Sequence, residues 1–384
     1  TFPYLLFTAA MALMAGVLNG LYRFGAAAAA PIVLNICMIA ALLFLTDLTG
    51  SPGHALSWGV AAAGIGQCLL LAVAMRNAGM SLRPTLPRIT PQIRRLLVLI
   101  APGALGAGVM QVNLLVGTMI ASLLPTGAVA YLYYADRLYQ LPLGVIGIAI
   151  GTALLPRLAR ELRGSDLAAA GHTTNRAIEV ALLLTLPASA ALLILAGPIV
   201  SVLFERGAFT LADTAETAWT LAAYAVGLPA FVLVKVLAPA FFAREDTRTP
   251  VIVAAWTMAA NIALSIALVF PFEHVGLAMA TSLASWINAG WLAVGLHQRG
   301  FLTADRRLLR AVPRLSAASL AMSAALAAVA WPLTPTMHGG SALGAGLLAA
   351  ICAGGAVLFF AAAHFMGAMD FRELRGHLRR RRPS

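Results

Sequence analysis

"YLYYADRLYQLP", residues 131–142, decides how the rest of the chain is read. It sets an aspartate and an arginine side by side in a tract that is otherwise without charge from Gly127 to Leu155. Uncharged runs of this kind recur along all 384 residues, and only 10% of the chain is charged. A soluble domain carries about 25%. Runs of about twenty apolar residues are long enough to cross a bilayer core as helices. The pattern predicts an all-α polytopic membrane protein.

Dividing the chain at charged and Pro/Gly-rich breaks gives eleven expected spans. They cover 3–22, 27–46, 56–75, 96–124, 127–155, 178–203, 217–243, 250–271, 275–296, 313–332 and 341–367. The stretch "RNAGMSLRPTLPRITPQIRR" is the longest break in the first half and marks a candidate boundary between two lobes.

The net charge is +12, almost entirely from arginine. Those arginines alternate sharply. One set of loops and the tail carries Arg23, Arg76 to Arg95, Arg157 to Arg176, Arg244, Arg248, Arg299 to Arg314 and Arg372 to Arg382. The opposite loops carry Arg206 alone, beside Glu205, Asp213 and Glu216, while Arg137 and Lys235 fall inside spans. Basic residues are retained on the cytoplasmic side. Residue 1 is therefore expected outside and the carboxyl terminus inside, where "HLRRRRPS" suits anionic membrane lipid. Short interhelical loops are no nucleic-acid surface, which needs basic residues gathered on a soluble face.

Three cysteines, all within apolar runs, and seven histidines show no metal-ligand spacing. No nucleophile elbow, phosphate loop or carboxylate pair suggests hydrolysis, so no metal site and no catalytic residue is expected. "LYRFGAAAAAPIVL" and "FFAREDTRTPVIVA" lie six spans apart, each with an arginine after an aromatic and a proline read as opening the next helix. Two parallel repeats are one reading of that pair.

Arg137 lies too deep for easy snorkelling, and an arginine at the centre of a span costs at least about 2.5–3.5 kcal/mol. It must face protein or water. Neighbours on a helix point apart, so Asp136 does not face it, whereas Tyr133, Tyr134 and Gln140 share its side. Two readings stand: an arginine tied to Asp136 or another helix's polar group, or a cavity arginine binding an anion. The planar guanidinium suits phosphate, donating two parallel hydrogen bonds. Pro142 and Gly144 loosen the same span, and Pro102, Gly103 and Gly106 make the fourth a bending element or a close-packing one. Lys235 is equally compatible with structure and function. Asn261, Ser265 and Thr281 make either a small polar site or interhelical hydrogen bonds.

The stretch "NLLVGTMIASLLPTGAVAYLYYADRLYQLPLGVIGIAIGTALLPRLAR" resembles the MurJ (MviN) lipid II flippases, as do "FERGAFT", "KVLAPAFFAREDTRTP" and "TFPYLLF". The likeness runs over nearly the whole chain. It implies a fourteen-helix, two-lobe transporter fold of the multidrug/oligosaccharidyl-lipid/polysaccharide exporter superfamily, of which this chain would hold eleven helices, starting at the fourth. Residues 1–80 would complete a first lobe, 81–95 link it inside the cell, 96–300 form a second lobe, and 301–384 supply two extra helices with a lipid groove and a basic tail.

The resemblance further implies a bacterial inner-membrane flippase that moves lipid II from the inner to the outer leaflet by alternating access. Its cavity arginine falls on Arg137, with Asp136, Gln140, Tyr134 and Tyr133 around it. The family usually has glutamate where Gln140 stands. Where some members carry acidic groups in a cation site, this chain has Gly117 and Ser265, with Asn261 and Thr281 nearby; sodium or proton coupling is left open and no cofactor is expected. Cell-wall synthesis proteins are possible partners of a monomer. The alternative is an exporter of another lipid-linked oligosaccharide, such as an O-antigen or capsule precursor.

Overall fold

Helix starts follow from capping. The Thr210 hydroxyl accepts from the Asp213 amide at 3.3 Å, and the Asp213 carboxylate accepts from the Thr210 amide at 2.7 Å. This reciprocal pair satisfies two amides that lack partners in the first turn. Asp166, Asp305 and Ser341 each cap singly, accepting from the amide three residues on. Ser51 does the same, with Pro52 at the first helical position.

The computed structural model describes residues 4–21, 23–80, 90–91, 93–94, 111, 114–164 and 166–368. Its helices are α1 (Tyr4–Gly20), α2 (Phe24–Phe44), α3 (Thr46–Thr49), α4 (Pro52–Asn77), α5 (114–122), α6 (Ala128–Arg163), α7 (Leu167–Ile194), α8 (Ala196–Phe204), α9 (Leu211–Phe242), α10 (Arg248–Gln298), α11 (Arg306–Leu333) and α12 (Ala342–Phe365). A 3-10 turn, Thr334–Gly340, joins the last two. Seven helices among the described residues are long and apolar enough to cross a membrane. α10 covers two expected spans, broken at Glu273, whose φ of 48° is non-helical.

Several helices outrun their expected spans. α6 continues to Arg163, α7 starts at Leu167 and α11 at Arg306. Hydropathy marks only the part inside hydrocarbon, whereas a helix continues into the interface until a cap or glycine stops it. Pro250 sits at the start of α10 as expected, but Pro31 lies well inside α2. The two repeat-like segments therefore differ in local structure.

The chain divides into two units, Thr1–Val98 and Leu99–Ser384. In the first, Gln67 is buried and knits three helices, accepting from the Tyr4 hydroxyl at 3.2 Å and donating to the Ala30 carbonyl at 2.8 Å. A side chain on Gly64 would come within 2.7 Å of the Phe7 ring, so glycine permits the close approach of α1 and α4. In the second, α9 packs against α6, α7, α8 and α10, and α11 lies against α7 and α12. Leu158, Leu228, Val236, Phe241, Leu292 and Leu315 are fully or almost fully buried there. Pro229 has no amide hydrogen for the Ala225 carbonyl of α9; Ser189 of α7 donates to that carbonyl instead, at 2.6 Å. Outward faces stay apolar, with Phe270, Trp331 and Phe365 more than four-fifths exposed, the surface a bilayer covers.

Candidate functional site

α6 holds the charged pair within a continuous helix that also runs through Pro142 and Gly144. Successive side chains diverge by about 100°, and Asp136 and Arg137 take different partners. Asp136 accepts from the Gln140 amide one turn on. The Arg137 guanidinium lies over the Tyr133 ring, 4.8 Å from its centre. Among the described residues Arg137 has no ion pair, and its side chain is exposed, as are those of Tyr133 and Gln140. A guanidinium over a ring face keeps its donors available at the plane's edges. What this arrangement can do is hold an anion.

Tyr134 is turned away from that group. Its ring packs against Phe204 and Phe209, with centroids at 4.8 and 5.4 Å. Tyr139 stacks on Tyr224 at 4.8 Å and on Phe231 at 5.3 Å, fixing this face of α6. Tyr139 carried a sequence signal, three residues after Asp136; Tyr224 and Phe231 carried none, because only the packing of α9 on α6 brings them there.

Lys235 of α9 reaches across to α6. A side chain on Gly147 would meet the lysine's Cδ at 2.6 Å, so the missing side chain is what seats the aliphatic stem. Gly147 is about 15 Å along α6 from Arg137, at 1.5 Å per residue.

Of the other expected site residues, those described lie on α10 and α5. Thr281 donates to the Leu277 carbonyl of its own helix at 3.0 Å, Ser265 is buried, and Asn261 is half-buried. Open space surrounds the position where Gly117 lacks a side chain. No group of three or more histidine, cysteine or acidic residues that could hold a metal ion occurs among the described residues. Pro102, Gly103 and Gly106 lie outside the described residues.

The arginine-rich end is braced by ion pairs: Arg176 with Glu179 and Asp305, Arg307 with Glu179, Arg299 with Asp246, and Arg157 with Glu161. Hydrogen bonds from the Thr249 hydroxyl and amide, with Arg299, hold the Asp246 carboxyl down to about 2. At the other end burial pushes Glu205 up, but Ser201, His338 and Thr214 donate to it and bring it below the usual glutamate range.

Fold and site together define a multi-pass helical membrane protein whose exposed Arg137, on α6, forms no ion pair with the acid beside it. The family model described as "Lipid II flippase MurJ" matches residues 1–362. "Probable lipid II flippase MurJ" of Rhizobium meliloti (strain 1021) is 46% identical over 385 residues, covering 99% of this chain and 72% of the relative. The protein of the same description from Rhizobium tropici is 42% identical, covering 100% and 73%. A solved structure, "Lipid II flippase MurJ, inward closed conformation", superposes with a TM-score of 0.74 at 24% identity, over 97% of this chain and 73% of that one, and shows the same fold. The chain belongs to the MurJ lipid II flippase family. It is a member of a transporter family, not of an enzyme family.

Proposed function

We infer that this chain works as a lipid II flippase and that Arg137 receives the pyrophosphate of the lipid as it crosses. The observation that carries the second part is the partnering of Asp136. With its carboxylate taken by Gln140, the adjacent guanidinium keeps its charge and its donors for a ligand. An unpaired arginine within a span is costly, and a dianionic head group offsets that cost when it arrives. Binding drives a change of access only if the head group is held more tightly in one state than in the other.

Movement runs from the inner to the outer leaflet of the bacterial cytoplasmic membrane by alternating access, with residue 1 outside and the carboxyl terminus inside. The arginine bias of alternate loops supports that orientation. Residues 96–300 act as the second lobe, 81–95 as the link from the first, and 301–384 as two additional helices beside which the polyprenyl tail stays in lipid.

The test is to assay lipid II reaching the outer leaflet in cells depleted of their own flippase and supplied with the complete protein, comparing wild type, Arg137→Ala and Arg137→Lys. Export by wild type and failure by both inserted variants is the expected result. Normal export by Arg137→Ala makes the arginine structural. Failure of the wild type to export lipid II, with another lipid-linked sugar moved instead, overturns the cargo.

A further inference from the structure

The arginine-poor end of the second unit holds a cluster that anion binding does not use. His274 follows Glu273, the residue at which α10 turns back, and is only 4% exposed. Its Nε2 lies 3.4 Å from a Glu216 carboxylate oxygen on α9, yet it is buried without a hydrogen bond. The imidazole also faces Tyr131 of α6, with ring centroids 5.2 Å apart.

The other titratable groups around it are Asp213 and Glu216 on α9, Tyr131 on α6, and Glu273 on its own helix. Asp213 is already engaged, accepting from the Tyr131 hydroxyl at 2.7 Å and from the Thr210 amide at 2.7 Å. Glu216 has no other side-chain partner among the described residues. One turn of α9 thus presents an engaged carboxylate and one without another partner to a buried imidazole. Beside them the Thr217 hydroxyl is buried and unpartnered.

We propose that His274 is a proton-binding latch: on taking up a proton it pairs with Glu216 and fastens the Glu273 turn to α9. A neutral imidazole whose nitrogen faces a carboxylate without bonding it is incompletely matched; the imidazolium makes a charge-assisted hydrogen bond there. The segment it would fix is one that needs fixing. Glu273 has φ 48° and ψ −129°, a left-handed conformation that side-chain-bearing residues adopt only when their surroundings hold them. The latch requires no assumption about cargo. Under the topology proposed above, its protons come from the cell exterior.

The experiment is hydrogen–deuterium exchange over residues 272–278 of the purified protein, corrected for intrinsic rates, followed from about pH 8 down to about pH 5. Wild type gains roughly tenfold protection at the acid pH, the size of one hydrogen bond to a charged group. His274→Gln and Glu216→Gln abolish the gain. His338→Gln retains it, since His338 belongs to the separate pair with Glu205. No gain in wild type, or a gain that survives either of the first two substitutions, overturns the latch. Where His274→Gln fails to fold, Glu216→Gln decides alone, because it leaves the imidazole in place.

Discussion

Gln140 donates its side-chain amide to Asp136, one helical turn earlier on α6. The contact gives the carboxylate a partner on its own face of the helix, so Gln140 helps set the charge around Arg137. Gln140→Leu leaves the Asp136 carboxylate without that partner, its negative charge one residue from the guanidinium less well compensated, and affinity for a polyprenyl diphosphate falls by roughly two- to fivefold, the worth of one exposed ion pair. Asp136→Asn in the Gln140→Leu background restores it. Titration of the lipid against each variant in detergent checks both halves.

Tyr133 supports the guanidinium from below at 4.8 Å. Tyr133→Phe keeps the ring face and leaves binding of the same lipid unchanged. Tyr133→Leu removes a cation–π contact of about 0.5–1 kcal/mol, a two- to fivefold loss. Equal losses in both variants would mean that the hydroxyl, and not the ring, is what matters.

Lys235 depends on the bare backbone at Gly147. Gly147→Val displaces the aliphatic stem and lowers transport if the lysine contributes to cargo passage; Lys235→Ala lowers it as much. The double variant is then no worse than either single one, as expected for two residues acting through one contact. Additive losses would show that Gly147 acts through something else.

Most of the helices could be read from composition, but most of their starts could not, because the caps that set them, Ser51, Asp166, Thr210 with Asp213, and Asp305, lie ahead of the apolar runs. The first turns of α7 were not legible as part of a membrane helix. His172, Thr173, Thr174, Asn175 and Arg176 read as loop because hydropathy registers their polarity. In the structure Thr173 donates to Glu161 at 2.8 Å and Asn175 to the Thr303 carbonyl at 2.9 Å, so their polarity is matched by partners 12 and 128 residues away. The site divides the same way. Arg137 stands out because charge within a span demands a reason, and Asp136 was expected to face elsewhere by helix geometry. That Tyr134 joins Phe204 and Phe209 follows from packing that no local pattern encodes.

The Ser189 hydroxyl occupies the carbonyl that Pro229 leaves open in α9. Ser189→Ala strands the Ala225 carbonyl in a dry interior and destabilises the protein by about 0.6–1.7 kcal/mol, the range for polar contacts between membrane helices. Pro229→Ala supplies the missing amide, so Ser189→Ala costs little in that background. Unfolding in mixed micelles of the four combinations measures the coupling, and a coupling of zero means that the serine is not satisfying that carbonyl.

Asp246 ties the α9–α10 connection to the end of α10 through Arg299 and accepts from the Thr249 hydroxyl at 2.7 Å and amide at 2.9 Å. Those donors hold its carboxyl at about 2, against about 3.9 for an unfolded aspartate. A group whose folded value is depressed binds its proton first in the unfolded chain. Its stabilisation is therefore complete above about pH 4 and disappears as pH falls from about 4 to about 2. Asp246→Asn lacks that contribution at neutral pH and loses nothing through the same window. Thermal unfolding across this range gives a falling curve for wild type, with a flatter one for Asp246→Asn that meets it at the acid end. Parallel curves would place the acid sensitivity elsewhere, with Asp305 the next residue to test, since burial opposes but the Leu308 amide and Arg176 hold its carboxyl low.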